Sequence, residues 1–404
     1  MIIKKNYDII NRDKNPRQGS VKVCIEEILQ NITRPGKIFC CVSSNLLVEV
    51  FKVYDIVIIG LGPAGATLAR LLDRSFSVAV IDKKREDGTG FRKPCGGLLA
   101  EDAQKAISRF DLTLPKEVLV DPQIFAVRTL DIRTGLTRHY QRFYINLDRY
   151  KFDRWLKSLI HQGVEIFEDS ICTNVKPKDN GYEVEFFREG KVHTITARYI
   201  VGADGANSVV RRFLYPHKKI RSYVSIQQWF PETNLNPFYS CIFDPDNTDC
   251  YSWTISKDGY FIFGGAFPKE DSRARFEKQK QLLKAWGFPF GEPEKTEACL
   301  VLRPSKPSDF CTGRNNAFLI GEAAGFISPS SLEGISSAIN SAYILSTVLN
   351  DRAANPCGVY HRKTLGLRLR LVLKILKCPF MYYPPVRKLV MASGLNSIEV
   401  IKNE

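Results

Sequence analysis

From Tyr54 onward, apolar residues come in short unbroken runs separated by glycine-rich or polar breaks. DIVII (55–59) and SVAVID (77–82) each have the length of a strand buried on both faces of a parallel sheet, and ATLARLL (66–72) between them carries helical spacing. Residues 150–161 predict another helix, and YEVEFFREGKVHTITARYIVGADG (182–205) predicts a hairpin returning to a further buried strand. From about 220 to 312 aromatic-rich strands take over, and YSCIFDPDNTDCYSWTISKDGYFIFGGAF (239–267) alternates strands with turn residues as an antiparallel meander does. DPDNTD (244–249) lacks the glycine and final glutamate of a calcium loop and reads as a hairpin turn. AFLIG (317–321) and a helix from Gly334, GISSAINSAYILSTVL, restore the α/β pattern.

The fold predicted is α/β: a Rossmann-like nucleotide-binding domain with an inserted antiparallel β-sheet substrate domain and a C-terminal helical tail. The nucleotide domain takes residues 53–115, 145–215 and 313–350. The substrate domain takes strands in 116–144 and the sheet of 216–312, and the tail is 351–404. Residues 1–52 read as an appendage, or as the product of a misassigned start, with a short amphipathic helix over 21–32 capped by Ser20. In the tail, YHRKTLGLRLRLVLKILK (360–377) wound as a helix gathers Leu365, Leu369, Val372, Leu373 and Leu376 on one side and Lys363, Arg370, Lys374 and Lys377 on a neighbouring arc. Such a helix packs on the body with a solvated basic face, or lies on anionic lipid. No run of eighteen apolar residues is present.

Charge changes the picture less than its total suggests. The net charge is +15, but residues 1–52 hold nine Lys/Arg against five acids and residues 352–398 hold nine against none, which leaves the body nearly neutral. No nucleic-acid-binding pattern accompanies the charge, so no nucleic-acid partner is expected. Peripheral contact with an anionic membrane is the partner this distribution allows. The eleven cysteines are scattered apart from Cys40 and Cys41, without a C-x-x-C pair or secretory leader, and predict a reduced, cytoplasmic protein. The five histidines are isolated from one another and from the cysteines, so no metal is expected.

Candidate chemistry begins at IIGLGPAG (58–65). Gly60 permits the tight turn, Gly62 lets backbone approach a pyrophosphate, and Gly65 lets helix and strand pack closely. Pro63 pre-sets the first helical turn, Ala64 follows it, and the helix N-terminus faces the phosphates. Asp82, followed by Lys83, ends the second strand 22 residues after Gly60, where a carboxylate accepts from ribose hydroxyls and disfavours a 2′-phosphate. A dinucleotide site follows, with FAD and NAD both open on these residues.

Two later segments break the tie. Asp204 and Gly205 follow one buried strand, and Gly321 and Glu322 end another. With the glycine loop they resemble the signature of the FAD-dependent hydroxylase and reductase superfamily that has the p-hydroxybenzoate hydroxylase fold. The resemblance implies FAD as cofactor: the first motif holds its ADP, the second lies near the pyrophosphate and riboflavin, and the third binds the ribityl chain. It also implies that Arg149 in LDRYKFDRWL reaches the FAD, and that the helix beginning at Gly334 and Ile335 points its N-terminus at the flavin N1 and C2 carbonyl, stabilising reduced anionic flavin. Glu322 departs from the usual aspartate by one methylene.

RKPCGGLL (92–99), followed by Tyr251 and Trp253 in CYSWTIS, resembles the geranylgeranyl reductase family, and most closely its bacterial CbrA-type branch. Family members reduce isoprenoid double bonds. The family's aromatic motif continues Phe-Pro, where this chain has Ile255 and Ser256. Saturating an alkene needs an exposed flavin N5, an apolar tunnel, a hydride donor and a proton source. Cys95 is the candidate catalytic residue, as proton donor or redox-active thiol, against the alternative of a small residue in a tight turn. Lys93, Gly96, Gly97, Tyr251 and Trp253 are candidate substrate contacts, the last two sharing one strand face that equally suits a sheet core. The expected substrate is a hydrophobic small molecule or lipid. The expected electron donor is NAD(P)H or a redox protein, because no second complete glycine fingerprint exists. A flavin monooxygenase and a non-catalytic flavin- and lipid-binding protein are the alternatives.

Overall fold

The structure, a computed structural model, describes residues 38–39, 51–87, 89–232 and 238–401. The helix expected over 21–32 lies outside them. Two large sheets are formed. In the first, nine-stranded one, the short strand β1 (Ile38–Phe39) pairs antiparallel with β2 (Phe51–Ile59). The strands β2, β3 (Val78–Ile81), β8 (Val164–Phe167), β11 (Lys191–Gly202) and β18 (Ala317–Leu319) run parallel in the order β18-β11-β2-β3-β8. Ile58 lies opposite Val80 on one side and Val201 on the other. All four residues of β3 are buried, as the unbroken apolar run requires. Parallel strands put their carboxyl ends on one edge, so the loops after β2, β3, β11 and β18 converge there.

Four helices, α1 (Pro63–Leu71), α2 (Glu101–Ser108), α3 (Arg149–Ser158) and α6 (Ile335–Asn350), share one apolar core with one face of this sheet. α3 begins at Asp148, whose carboxylate accepts from the amides of Tyr150 and Lys151. On the other face pack β9 (Ile171–Lys178), β10 (Gly181–Arg188) and α4 (Val209–Leu214), with β10 and β11 forming the expected hairpin. β17 (Gly313–Arg314) turns back on β18.

The second sheet has seven strands, β5 (Ala126–Asp131), β6 (Leu136–Gln141), β12 (Ser222–Pro231), β13 (Phe238–Phe243), β14 (Tyr251–Lys257), β15 (Tyr260–Phe267) and β16 (Lys295–Leu302), ordered β16-β12-β15-β14-β13-β5-β6. The strands from 126–141 thus join the meander, through a parallel pairing of β5 with β13. α5 (Ser272–Lys284) covers one face, burying Phe276 and Leu283 among Phe230, Phe261, Phe263 and Phe267. Each such side chain contributes roughly 1.5–3 kcal/mol. The opposite face carries Tyr239, Trp253, Ile255 and Ile262 and looks back toward the first sheet. A two-stranded ribbon, β4 (Leu98–Leu99) with β7 (Ile145–Asn146), lies between the two sheets in sequence.

The tail forms α7 (Pro356–Lys363), α8 (Leu365–Tyr382) and α9 (Pro384–Ala392). It is anchored by a buried ion pair of Arg387 with Asp131 at 2.8 Å and by Tyr382, whose hydroxyl donates to the Ser330 carbonyl at 2.6 Å. The stretch expected as one helix over 360–377 is helical but divided at Thr364 between α7 and α8, and the side chains expected to share one side divide. Leu371 is buried, with Leu367, Val372 and Ile375 packed beside it, whereas Leu365, Leu369, Leu373 and Leu376 are exposed. Periodicity picks out a stripe; packing chose the neighbouring one.

Candidate active site

A cavity of about 630 Å³ opens where the parallel strands end and runs to the inner face of the second sheet. Gly60, Gly62, Pro63, Ala64, Asp82, Lys83, Lys93, Cys95, Gly96, Gly97, Arg149, Asp204, Gly205, Tyr251, Trp253, Glu322, Gly334 and Ile335 all line it. Of the residues singled out from the sequence, Gly65 and Gly321 stand behind its wall. A Cβ on Gly65 would meet the Gly60 carbonyl oxygen at 1.9 Å, so this glycine serves helix–strand contact. Gly321 takes φ +57° and donates its amide to the Ser341 hydroxyl at 2.9 Å.

The glycine loop has the shape a pyrophosphate needs. Gly60 takes φ +101° with its α-carbon against the Ala203 carbonyl, a position closed to a side chain. A Cβ on Gly62 would meet nothing within 4 Å, so the backbone there is open to the cavity. The N-termini of α1 and α6 carry no side-chain cap, and both open into the cavity through Gly62 and Gly334. Free helix N–H groups with the dipole behind them favour anionic groups.

Three carboxylates line the cavity, Asp82 and Glu322 buried and Asp204 half-buried. Asp82 accepts from the Leu61 amide at 3.2 Å, and burial pushes its carboxyl up. Asp204 accepts from the Val209 amide at 2.7 Å; its other oxygen is buried without a hydrogen-bond partner among the described residues, and burial raises this carboxyl too. Glu322 accepts from the Leu302 amide at 2.9 Å and is ion-paired with Lys93. Burial pulls the Lys93 ammonium down, but Glu322 outweighs it and holds Lys93 above its usual range. The extra methylene of Glu322 thus joins a residue expected on the cofactor to one expected on the substrate. Lys83 sits 3.5 Å from the Phe91 ring centroid, its pKa lowered by burial.

Arg149 is half-buried and donates to Asp153 at 2.9 Å, while Lys84 pairs with the same carboxylate at 2.8 Å. Burial opposes the charge of Arg149, but Asp153 and then the neighbouring Cys95 raise its pKa overall. Cys95 accepts from the Gly97 amide at 3.4 Å. Gly97 takes φ +64°, and a Cβ there would lie 2.3 Å from both the Leu147 carbonyl oxygen and Lys257 Nζ. Lys257 is buried, donates to the Leu147 carbonyl at 2.5 Å, and is pulled down to about 8 by burial. The Trp253 indole lies 3.6 Å from the Cβ position of Gly96, an ordinary packing distance, so of the two glycines Gly97 is the one whose backbone excludes a side chain.

Beyond Cys95 the wall turns aromatic. Tyr251 and Trp253 both pack in the core of the second sheet and both line the cavity. The Tyr251 hydroxyl donates to the Ser331 carbonyl at 2.7 Å, and the Trp253 N–H is buried without a partner among the described residues. Three wall residues escaped the sequence reading. Tyr144 packs edge-on to Tyr239, and its hydroxyl donates to Glu333 at 3.2 Å. Glu333 also accepts from the Ser331 hydroxyl at 2.9 Å, and burial raises its carboxyl. The signal for Glu333 was its place directly before Gly334; Tyr144 and Tyr239 gave none, because their nearness is created by the pairing of β5 with β13.

A family profile described as the FAD binding domain matches residues 154–354. With the open glycine loop, the acid at the end of β3, the unpartnered Asp204 oxygen and two uncapped helix N-termini in one cavity, it defines the class: the protein is an FAD-dependent oxidoreductase, in the broad sense that includes monooxygenases. Protein CbrA of Shigella dysenteriae serotype 1 is 54% identical over 351 residues, covering 87% of this chain and 99% of the relative, and CbrA of Escherichia coli O157:H7 matches to the same extent. The chain belongs to the CbrA family. Among solved structures, the fold is shared with a geranylgeranyl bacteriochlorophyll reductase-like protein from Thermoplasma acidophilum (TM-score 0.67, 18% identity, 85% of this chain and 99% of that one). It is also shared with PqsL, a probable FAD-dependent monooxygenase from Pseudomonas aeruginosa (TM-score 0.62, 17% identity, 85% and 100%).

Proposed function

We propose that the protein reduces carbon–carbon double bonds of a polyprenyl or related isoprenoid lipid. The observation that carries this reading is the aromatic part of the cavity: rings of Tyr144, Tyr239, Tyr251 and Trp253 line it, with one half-buried carboxyl, Glu333, among them. The likeness in fold to a protein described as geranylgeranyl bacteriochlorophyll reductase-like points the same way.

Residues of the first sheet would hold the cofactor: Gly60, Gly62, Pro63 and Ala64 at the pyrophosphate, Asp82 and Lys83 at the adenosine ribose, Arg149, Asp204, Gly205 and Glu322 along the riboflavin side. When bound and reduced, FAD would be the source of the hydride for one alkene carbon. The chain's part is to place that alkene and give the other carbon a proton. Gly96 packs its backbone against the Trp253 ring at the cavity wall, and the aromatic wall aligns the prenyl chain. The candidate proton donor is Glu333, whose carboxyl is shifted upward by burial, and the Tyr144 hydroxyl would steady the carboxylate left behind. Cys95, beside Arg149, is the second protic group at this junction. NAD(P)H or a redox protein returns the electrons by transient contact, and the reaction takes place at the cytoplasmic side.

The test is anaerobic. Protein purified without oxygen should be yellow and carry a lipid identifiable by mass spectrometry; on chemical reduction and mixing with that lipid, flavin absorbance should return as the lipid gains two hydrogens per double bond. Glu333→Gln should keep the colour and slow this step at least tenfold. Cys95→Ala should keep the colour and slow it less. Oxygen-dependent insertion into the substrate, with no anaerobic turnover, would replace this reading by a monooxygenase.

A further inference from the structure

The exposed side of α8 is a continuous apolar row. Leu365, Leu369, Leu373, Leu376, Phe380 and Tyr383 follow one another at three- and four-residue spacing, each between 51% and 64% exposed, while Leu371 on the opposite side is 2% exposed. α9 extends the row with exposed Leu389 and Val390. Together the six side chains of α8 and its end present on the order of 600 Å², at the upper limit for a monomer's largest apolar patch.

Charge selects the occupant. Exposed Arg370 and Lys377 flank the row, exposed Lys388 adjoins its extension, and residues 352–398 contain nine Lys/Arg without one acid. A second copy meeting this face across a two-fold axis would bring two such basic fields together, which disfavours it. An anionic lipid surface satisfies both features, since it receives apolar side chains and attracts cations.

The helix that carries the row also reaches the cavity, on another of its sides. Lys374, on the same helix, lines the cavity rim and approaches Asp102 of α2 at 3.9 Å. Phe143, exposed and next in sequence to the wall residue Tyr144, is joined to α2 by Gln104, which donates to its carbonyl at 2.7 Å. No helix among the described residues is long and apolar enough to cross a membrane. We infer that α8 docks the protein on an anionic bilayer through this leucine row, setting the cavity rim against the lipid surface.

The measurement needs no turnover, so it stands or falls apart from the proposed reaction. The full-length, FAD-loaded protein is sedimented with vesicles of phosphatidylcholine alone and of phosphatidylcholine with phosphatidylglycerol, alongside its solution mass. The expected result is a monomer that sediments with the anionic vesicles and is released by salt. Leu369→Ser/Leu373→Ser/Leu376→Ser, with unchanged melting temperature, should weaken binding at least tenfold, and Arg370→Gln/Lys377→Gln should weaken it several-fold. Wild-type protein left in the supernatant, equal binding by the triple variant, or a solution dimer that the triple variant splits would each overturn the inference.

Discussion

Replacing Gly62 with alanine separates the fold from the cofactor. Gly62 takes φ −82° and ψ −170°, a backbone any residue adopts, and the new methyl group would have no protein atom within 4 Å. In the FAD-free protein the substitution therefore removes freedom from the unfolded chain and should stabilise by about 0.4–1 kcal/mol. In the FAD-bound protein the same methyl would stand where the pyrophosphate is proposed to meet the backbone, and overfilling a tight contact costs roughly 1–3 kcal/mol. That range is about 5- to 150-fold in Kd. FAD-stripped protein is titrated with FAD, following quenching of flavin fluorescence, and both forms are melted. Gly65→Ala is the contrast: its methyl would lie 1.9 Å from the Gly60 carbonyl oxygen, so it should lower the melting temperature even without FAD. Wild-type affinity in Gly62→Ala, or an FAD-free melting loss equal to that of Gly65→Ala, would show that the phosphates do not lie at this loop.

Other outcomes follow from the same geometry. Asp82→Ala and Glu322→Ala should each weaken flavin retention, read as the ratio of visible to ultraviolet absorbance after gel filtration; Glu322→Ala also leaves Lys93 without its carboxylate and should cost stability as well. Lys257, held at about 8 against a usual 10.5, binds its proton less readily folded than unfolded, so stability should rise with pH between about 8 and 10.5. At about 1.4 kcal/mol per pH unit the rise is about 3 kcal/mol, and denaturant melts of Lys257→Met should lack it. Arg387→Ala leaves the buried Asp131 charge unpaired and should destabilise by roughly 3–5 kcal/mol in the same assay.

The cofactor end of the site was legible because its chemistry is local. A strand, a glycine turn, a helix N-terminus and an acid closing the next strand lie within thirty residues, and each glycine's task is set by backbone geometry that the sequence states outright. The substrate end was legible only in fragments. Cys95, Tyr251 and Trp253 were found through a motif, whereas Glu333, Tyr144 and Lys257 gain their importance from burial and from neighbours more than a hundred residues away. Lys93 and Glu322 were assigned separately, and their pairing across 229 positions could not be read from either segment.

The tail shows where the division falls. Its residues dictate a helix, amphipathic and basic, since propensity and spacing act over a few turns. Which apolar stripe would be covered depended on the surface the helix met, and that surface, where Leu371 joins the core that holds Phe310 and Phe326, is assembled from remote segments. Local sequence sets backbone conformation; contacts between remote segments set which side chains leave water, and those contacts left one row of leucines outside.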